Sequence, residues 1–368
     1  MKPLRILITG NMGYVGPGVV RQLRQAFPQA ELIGYDLGYF AHCLTGAGAL
    51  PETHLNRQLF GDLRELPADL FAGVDVVVNL AAISNDPMSF LFEQVTLEVN
   101  YRAGIRLARQ AKAAGVKHFV FASSCSIYGS ASDAPRTEDA EFNPLTAYAR
   151  SKMLTEQDLQ PLAADDFCVS CLRFATACGW SPRLRLDLVL NDFVASAVAT
   201  GQINILSDGT PWRPLIHVED MARAIVWAVQ RPASHGGAFL AVNVGSTEWN
   251  YQVHELAHAV AEAVPGTTVS LNPDAAPDKR SYRVDFGLYR ALAPHHQPQR
   301  RLADTIAELR DNLLAMNFCD GNFRASQLMR LRVLTALRES QALTPELAWA
   351  PPALVAPPQP IEQPALLF

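Results

Sequence analysis

The chain has 368 residues, and its 49% hydrophobic content is enough for a large core and too high for a disordered protein. Its 31 basic and 36 acidic side chains give a net charge of −5, which disfavours nucleic acid as a partner because such binding normally needs a basic excess. The first apolar run stops at Gly10 and no long uncharged apolar stretch follows, so we expect neither a secretory signal nor a membrane span. Six cysteines without regular spacing indicate reduced thiols in a cytoplasmic protein.

Short apolar runs alternate with longer helical patterns over the first 175 residues. The run Val76-Val77-Val78 is continuously apolar, which is typical of a strand buried on both faces. Strands of this kind, separated by helices, predict an α/β fold with a doubly wound parallel sheet. The predicted strands are Arg5–Thr9, Glu31–Tyr35, Gln58–Phe60, Val74–Leu80, His118–Ser123 and Cys168–Phe174. The predicted helices are Tyr14–Phe27, Ser89–Ala114 and Ala147–Leu162.

After residue 175 the pattern loosens, which predicts a smaller mixed substrate domain over residues 176–315, with some later segments returning to the first domain. Residues 316–344 would form a helical extension, and residues 345–368, with seven prolines, an irregular tail. The predicted helices are Leu188–Thr200, Val218–Gln230, Gln252–Val264, Gly287–Leu292, Asp304–Leu314 and Ala325–Ser340. The predicted strands are Ile203–Leu206 and Leu240–Asn243.

A glycine-rich loop, Gly10-Asn11-Met12-Gly13-Tyr14-Val15-Gly16, follows the first predicted strand and opens a helix. Glycine allows the tight turn and the close approach of a pyrophosphate to the backbone. Asp36 ends the second strand, where a carboxylate binds the adenosine ribose and repels a 2′-phosphate. No arginine follows it directly, so NAD is favoured over NADP and residues 1–175 are predicted to be an NAD-binding domain. The loop residues expected at the cofactor are Gly10, Met12, Gly13, Tyr14, Val15 and Gly16.

Two further segments support a dinucleotide site. Asp62 and Leu63 follow the third predicted strand, where an acidic side chain can meet the adenine amino group. Leu80, Ala81 and Ala82 end the fourth strand with small side chains, which leave room for the cofactor beneath the loop.

A candidate catalytic group lies at Tyr148 and Lys152, which are four residues apart and therefore share one face of a helix. A tyrosine with its ordinary pKa is a poor base at neutral pH, but a nearby ammonium, helped by a positive nicotinamide, would lower that pKa. Ser124 closes the fifth strand, at the edge of the sheet where ligands bind. Its hydroxyl could bind the substrate oxygen that Tyr148 deprotonates.

These segments together resemble the extended short-chain dehydrogenase/reductases, and specifically the nucleotide-sugar epimerase/dehydratase group. The resemblance runs from the glycine loop to about residue 315 and is carried by GNMGYVG, Asp36, GDL, NLAA, Asn100, SSCSIYG, YARSK and GTPWRPLIHVEDMARA. It implies a Rossmann domain, NAD as cofactor, a nucleotide-sugar substrate and a homodimer through the helices predicted at residues 89–114 and 147–162.

The resemblance also assigns roles to individual residues. Tyr148 would be the acid/base, Lys152 would bind the nicotinamide ribose, and Ser124 would polarise the sugar oxygen. Asn100 would order the strands near the site, and Thr176 would enter the nicotinamide pocket. The expected substrate contacts are Ser84, Ser124, Ser126, Asn191 and Arg213, with Asn191 and Arg213 on the diphosphate. Ala275 stands where the family often has a second arginine, so Lys279, Arg280 or Arg283 would replace it, and Arg280 is included among the substrate contacts.

One departure from the pattern of this family limits the reactions that the chain is expected to catalyse. Dehydratases and decarboxylases of the group carry acidic residues directly after the catalytic Ser/Thr, and this chain has Cys125 and Ser126 there. We therefore expect NAD-dependent epimerisation of a nucleotide-diphosphate sugar, of the 4-epimerase kind, through transient hydride transfer. The alternatives are an NAD(P)H-dependent keto-sugar reductase and a dinucleotide-sensing scaffold without turnover.

Other motifs are better explained by structure than by chemistry. His254-Glu255-Leu256-Ala257-His258 spells a zinc-protease signature, but no third ligand is placed nearby, so no metal is expected. Cys168 and Cys171 lie in a predicted strand, where residues three apart point to opposite faces. His217 precedes a helix and is expected to cap it or join the core. Arg183 and Arg185 would either meet substrate or be solvated.

Overall fold

Strands and helices alternate along the chain in the computed structural model, which describes residues 2–130, 134–271 and 280–351. The strands are β1 (Arg5–Thr9), β2 (Glu31–Asp36), β3 (Arg57–Phe60), β4 (Val76–Asn79), β5 (His118–Ser124), β6 (Cys168–Phe174), β7 (Thr176–Cys178), β8 (Gln202–Ile205), β9 (Trp212–His217), β10 (Phe239–Val244), β11 (Asn250–Gln252) and β12 (Thr268–Leu271). The helices are α1 (Gly16–Ala26), α2 (Asp86–Leu91), α3 (Glu93–Thr96), α4 (Gly104–Ala113), α5 (Ala147–Leu159), α6 (Val189–Thr200), α7 (Val218–Val229), α8 (Val253–Ala263), α9 (Gly287–Leu292), α10 (Leu302–Ala315) and α11 (Arg330–Glu339).

A parallel sheet of seven strands in the order β10-β6-β5-β4-β1-β2-β3 forms the centre of the fold. In its register Leu7 pairs with Ile33 on one side and with Val77 on the other. The strand order reverses between β1 and β4, and in sheets of this kind ligands bind outside the carboxyl ends of the strands at that point. The predicted doubly wound sheet is confirmed. Its seventh strand, β10, follows the first domain in sequence and pairs with β6.

Apolar side chains fill both faces of this sheet. Ile6 and Val76 belong to one core cluster, whereas Leu7 and Val77 belong to the other, and all four are 0% exposed. Successive residues of a strand point to opposite faces, so a continuously apolar strand supplies both clusters. Helix α1 packs with α7 against one face, and α4 and α5 lie against the other.

Two small sheets stand beside the main one, with orders β11-β9-β7 and β12-β8. Sequence reasoning predicted β8 but missed β7, β11 and β12, which have only three or four residues, and β9, whose apolar pattern is interrupted by Arg213 and Pro214. Helices α6, α8 and α10 contact one another, and α6 and α8 contact β8. Together these elements form the smaller mixed region that the sequence predicts.

The prediction of one continuous helix over residues 89–114 is wrong. Phe92 has φ −122° and ψ 48°, which separates α2 from α3, and a π-helix spans Leu97–Ala103 before α4 begins. A π-helix shifts the helical register and is often found near functional sites. Here it carries Asn100 into the protein interior.

The C-terminal segment packs against the first domain. Leu334 of α11 and Leu343 and Leu347 beyond it form a separate apolar cluster with Ile83, Met88 and Phe92. The irregular tail predicted from residue 345 lies mostly outside the described residues, but Leu343 and Trp349 form an isolated antiparallel bridge. Within the described ranges no helix is both long and apolar enough for a bilayer.

Candidate active site

The glycine loop between β1 and α1 needs glycine at its two ends. Gly10 has φ +74°, and a Cβ placed there would lie 2.5 Å from the backbone nitrogen of Ala81. A Cβ at Gly16 would overlap the backbone of Asn11. The loop is therefore packed so closely that both positions exclude any side chain.

The N-terminus of α1 opens from this loop with Gly16 and Pro17, and no side chain caps it. The first N–H groups of a helix have no partner inside the helix, and the helix dipole favours negative charge at that end. An uncapped N-terminus at the switch point of the sheet is suited to a diphosphate.

A cleft lies at this point, between the glycine loop and the ends of β2, β3 and β4. Most residues predicted for the cofactor line it: Gly10, Gly13, Tyr14, Val15, Gly16, Asp36, Asp62, Leu63, Leu80, Ala81 and Ala82. Ser84, predicted for the substrate, lines it as well. The other residues predicted for the cofactor lie outside this lining: Met12, Asn100, Tyr148, Lys152 and Thr176.

Asp36 is held in place by backbone donors. Its carboxylate accepts hydrogen bonds from the backbone N–H groups of Met12 at 2.9 Å and Gly38 at 2.7 Å. Burial raises the pKa of Asp36, and these two hydrogen bonds act in the opposite direction. The predicted role of Met12 is thereby indirect, because its N–H orients Asp36.

Asp62 forms an ion pair with Arg64, a contact that the sequence analysis does not predict. Nη2 of Arg64 donates to its carboxylate at 2.6 Å, and Nε lies 2.9 and 3.0 Å from the two carboxylate oxygens. The side chain still lines the cleft, so its contact with adenine stays a prediction. The open glycine loop, the uncapped helix end and the oriented carboxylate of Asp36 fit NAD.

The structure brings Ser124, Tyr148 and Lys152 together. Tyr148 and Lys152 lie on α5, whose N-terminus is capped by Thr146. Ser124, at the end of β5, lies close enough to Tyr148 to influence the pKa of its phenol, and Nζ of Lys152 lies 5.5 Å from the centre of the Tyr148 ring. A hydroxyl, a phenol and an ammonium therefore converge at the carboxyl edge of the sheet, as the sequence predicted.

In the chain without cofactor, the pKa of Tyr148 shifts in the direction opposite to the lowering predicted beside Lys152 and a positive nicotinamide. Burial raises the pKa of Tyr148 to about 12, although the neighbouring Ser124 hydroxyl acts to lower it. Burial also lowers the pKa of Lys152 to about 7. In the chain by itself the lysine thus does not ionise the phenol, because removing both groups from water disfavours both charges.

Asn100 connects the catalytic helix to the cleft. Its side-chain oxygen accepts from the N–H of Ile83 at 2.8 Å, and its side-chain nitrogen donates to the carbonyl of Ile83 at 3.0 Å and to Ser151 Oγ at 3.1 Å. Ile83 lines the cleft, and Ser151 lies between Tyr148 and Lys152 on α5. Asn100 therefore fixes the distance between the two halves of the site, which agrees with the ordering role that the resemblance implied.

A buried ion pair behind Lys152 was missed by sequence reasoning. Nη2 of Arg173 lies 2.8 Å from a carboxylate oxygen of Glu156, and their side chains are 6% and 3% exposed. Ser123 donates to the same carboxylate, and Arg173 also donates to the hydroxyl of Tyr128 at 3.1 Å. The available signal was the spacing, since Glu156 continues the i, i+4 series from Tyr148 and Lys152.

The predicted substrate residues fall into different settings. Asn191 is fully buried, accepts from the N–H of Gly179 at 3.0 Å and donates to Tyr14 Oη at 3.0 Å, so it supports the glycine loop. Arg213 is partly buried and donates to the carbonyl of Trp212 at 2.9 Å. Arg280 pairs with Asp86 at 2.6 Å. Their contacts with substrate stay predictions.

Two smaller polar residues also lie here. Ser84 Oγ accepts from Nη1 of Arg185 at 2.9 Å, which places it at the cleft. Ser126 Oγ is buried and has no hydrogen-bond partner among the described residues, while its N–H donates to Ser124 Oγ at 3.2 Å. A buried hydroxyl of this kind, next to Ser124, can take a partner from a bound ligand.

Arg183 and Arg185 are not solvated, which removes one of the two alternatives. They are 0% and 6% exposed. Arg183 pairs with Glu52 at 2.7 Å, and Arg185 pairs with Asp187 at 2.8 Å. Arg185 lines the cleft.

The remaining motifs take structural positions. His217 caps α7 by accepting from the N–H of Glu219 at 3.1 Å, and its other ring nitrogen lies 2.7 Å from Glu308. Nδ1 of His254 lies 2.9 Å from the carbonyl oxygen of Gly209. Cys168 and Cys171 are buried in β6. Over the described ranges, no group of three His, Cys, Asp or Glu side chains is placed to hold a metal.

A comparison with protein families agrees with this geometry. The model of the NAD dependent epimerase/dehydratase family matches residues 6–245, which is more than half of the chain. The chain belongs to this family. The family is NAD dependent, as the sequence predicted, and its fold agrees with the seven-stranded parallel sheet.

Characterised relatives catalyse more than one reaction. A UDP-glucose 4-epimerase of Bacillus subtilis is 27% identical over 301 residues, covering 72% of this chain and 84% of the relative. A dTDP-glucose 4,6-dehydratase of Streptomyces griseus is 27% identical over 288 residues, covering 76% of this chain and 85% of the relative. Both belong to nucleotide-sugar chemistry, so the relatives support an enzyme of this class without choosing between the two reactions.

Solved structures are similar over most of the chain. The structure of MoeE5 in complex with UDP-glucose and NAD has a TM-score of 0.71 and 26% identity, and covers 84% of this chain and 99% of MoeE5. The structure of TunA, an NDP-hexosamine 5,6-dehydratase, has a TM-score of 0.72 at 22% identity and covers 85% of this chain and 98% of TunA. At that identity the TunA structure supports the fold alone.

Proposed function

We propose that the protein catalyses the NAD-dependent epimerisation of a nucleotide-diphosphate sugar, of the 4-epimerase kind. Tyr148 would accept the proton of the sugar hydroxyl, Ser124 would hydrogen-bond the same oxygen, and Lys152 would hold the nicotinamide ribose. NAD, when bound, supplies the hydride acceptor and returns the hydride to the opposite face of the keto-sugar. Since the hydride is returned, the cycle needs no external reductant.

The observation that carries the proposal is the proximity of Ser124, Tyr148 and Lys152 at the carboxyl edge of the sheet, beside a cleft whose lining fits NAD. A general base must lie within hydrogen-bond reach of the proton that it removes. A sugar hydroxyl placed beside the Tyr148 phenol would also be within reach of the Ser124 hydroxyl.

Cys125 and Ser126 favour epimerisation over dehydration. Cys125 Sγ is fully buried and donates to the carbonyl of Arg173 at 3.1 Å, and burial raises the pKa of its thiol. Neither a buried thiol with a raised pKa nor a serine hydroxyl can provide the acid and base that elimination of water requires. The proposal therefore excludes the dehydratase reaction, although dehydratases are among the relatives.

A substrate panel tests the proposal. The purified protein with NAD is incubated with UDP- and dTDP-sugars, and the products are separated and identified. Epimerisation predicts a product of unchanged mass and no net change in nicotinamide absorbance. Stoichiometric consumption of NAD(P)H with a keto-sugar would instead support the reductase, and NAD binding without turnover of any sugar would support the scaffold.

The decisive variant is Tyr148→Phe. It should retain NAD affinity and lose turnover by a factor of about 10² to 10⁴, the usual contribution of a positioned acid/base. Tyr101→Phe is the matched control, because Tyr101 donates to Asp158 at 2.7 Å away from the cleft. Loss of turnover in both variants would argue against the assigned role of Tyr148.

A homodimer is part of the proposal. Phe90 and Leu91 of α2 are 89% and 53% exposed, and they fall within residues 89–114, one of the two segments predicted to form the interface. Exposed apolar groups of this size are typical of association surfaces. Sedimentation of the purified protein tests it, and a monomer at all concentrations would contradict it. A cytoplasmic location also stays a prediction.

A further inference from the structure

The C-terminal segment forms part of the wall of the cleft. Arg330 and Leu334 of α11 line the same cleft as the glycine loop. Leu334 and Leu347 belong to an apolar cluster with Ile83, a residue that also lines the cleft. The segment is thus packed onto the site by buried apolar contacts.

Hydrogen bonds tie this segment to the loops that carry the predicted adenosine contacts. Nε1 of Trp349 donates to the carbonyl of Leu37 at 2.7 Å, and Nη1 of Arg64 donates to the carbonyl of Glu346 at 2.6 Å. Tyr39 Oη donates to the carbonyl of Leu347. Leu37 follows Asp36, and Arg64 also pairs with Asp62. The segment is therefore fixed to both acidic loops of the cleft.

Arg330 places a charge in this wall. It is 1% exposed, and its Nη2 donates to the carbonyls of Arg183 at 2.7 Å and Leu184 at 3.1 Å. Its Nη1 donates to the carbonyl of Gln327 at 3.2 Å, and the guanidinium lies 4.9 Å from the centre of the Phe40 ring. All of these partners are neutral.

The neighbouring arginines differ from Arg330 in this respect. Arg183 and Arg185 each form an ion pair with a carboxylate, whereas none of the ion pairs between described residues includes Arg330. A buried charge without a counter-ion is unfavourable, and burial lowers the pKa of Arg330 to about 10. A ligand anion in the cleft would supply the missing negative charge.

We propose that Arg330 binds the diphosphate of NAD, so that the C-terminal segment is an integral part of the cofactor site. The guanidinium still has the Nε hydrogen and one Nη1 hydrogen to donate to phosphate oxygens, and the carbonyl partners of Nη1 and Nη2 hold it in a fixed orientation. The glycine loop and the α1 N-terminus line the same cleft and bind the diphosphate through backbone N–H groups. This inference rests on NAD binding in the proposed function and is independent of the reaction catalysed.

Binding of NAD, ADP-ribose, adenosine and UDP by calorimetry tests the inference without turnover. In Arg330→Gln, the dissociation constants for NAD and ADP-ribose should rise by about 10- to 100-fold, as expected for loss of a charged hydrogen bond. Those for adenosine and UDP should change by less than about threefold, because neither ligand uses this contact. Arg332→Gln, on the same helix but exposed, is the matched control and should leave all four unchanged.

Several outcomes would overturn the inference. Equal loss of adenosine and ADP-ribose affinity would make Arg330 purely structural, and loss of UDP affinity alone would assign its charge to the substrate. If Arg330→Gln does not fold, Arg330→Lys keeps the charge but loses the planar guanidinium. This variant should still weaken the binding of ADP-ribose more than the binding of adenosine. Equal affinities for Arg330→Lys and the wild type would also overturn it. Failure of the wild type to epimerise any sugar while it binds NAD would reject the proposed reaction and leave this inference standing.

Discussion

The ammonium nitrogen of Lys152 lies 2.7 Å from the carbonyl oxygen of Ala122, at the end of β5, rather than against the phenol of Tyr148. It also lies 4.7 Å from the centre of the Phe121 ring. The lysine is therefore held against the central sheet in the chain without cofactor. Since the pKa of Lys152 is about 7, its charge changes within the physiological range.

This arrangement predicts a pH dependence of stability. The folded-state pKa of Lys152 is lowered to about 7 from an unfolded value near 10.5, so between these values the unfolded chain binds more protons than the folded chain. The contribution of Lys152 to the free energy of unfolding should therefore rise with pH across this window, by up to about 1.4 kcal/mol per pH unit, and be constant below it. Urea unfolding of the wild type and Lys152→Met at several pH values measures the difference in slope.

The matched control for this experiment is Lys112→Met. Lys112 also donates to a backbone carbonyl, that of Leu162 at 2.7 Å, but it is partly exposed on α4. Its substitution should leave the pH dependence of the free energy of unfolding as in the wild type. Parallel pH profiles for the wild type and Lys152→Met would contradict the lowered pKa.

Gly16→Ala should destabilise the protein and weaken NAD binding. The new Cβ would overlap the backbone of Asn11, and relief of the overlap would displace the loop, at a loss of about 1–3 kcal/mol in the free energy of unfolding. Gly48→Ala is the control, because nothing lies within 4 Å of a Cβ at that position. Thermal unfolding and NAD titration measure both effects, and equal stability of the two variants would reject the packing argument.

Asp36→Ala should weaken NAD binding about 10- to 100-fold, because a carboxylate that accepts hydrogen bonds from ribose hydroxyl groups contributes about 1.5–3 kcal/mol to the binding free energy. It should also reduce the preference for NAD over NADP, since the charge that repels a 2′-phosphate is removed. Glu65→Gln, an exposed carboxylate beyond β3, controls for a general change in charge. An unchanged ratio of NAD to NADP affinity in Asp36→Ala would show that another group sets the preference.

Glu156→Gln tests the buried ion pair behind Lys152. It removes the charge that partners Arg173, and breaking a buried pair in this way lowers the free energy of unfolding by about 3–5 kcal/mol. Glu98→Gln breaks partly exposed pairs with Arg102 and Arg106 and should lower it by less than about 1 kcal/mol. Denaturant unfolding compares the two, and similar losses would mean that burial does not strengthen the Glu156 pair.

The sequence by itself determined the central sheet and the glycine loop, and it placed the candidate catalytic residues Tyr148 and Lys152 on one helix face. Continuous apolar runs such as Val76-Val77-Val78 specify a strand buried on both faces, and Gly10 satisfies a backbone geometry that few other residues adopt. The spacing of Tyr148 and Lys152 places both on one face of any helix. All of these are local properties, which pattern and spacing express directly.

Only the tertiary structure decided which distant groups meet these residues. Phe92 and the π-helix interrupted a segment whose periodicity predicted one helix, and Asn100 thereby reached Ile83 and α5. In the chain without cofactor, burial raises the pKa of Tyr148, whereas the sequence predicted a lower pKa with NAD bound, and spacing alone does not express this desolvation because it depends on the surrounding elements. Arg330 reaches the cleft from more than 300 residues beyond the glycine loop, and its contacts depend on packing that no local pattern records.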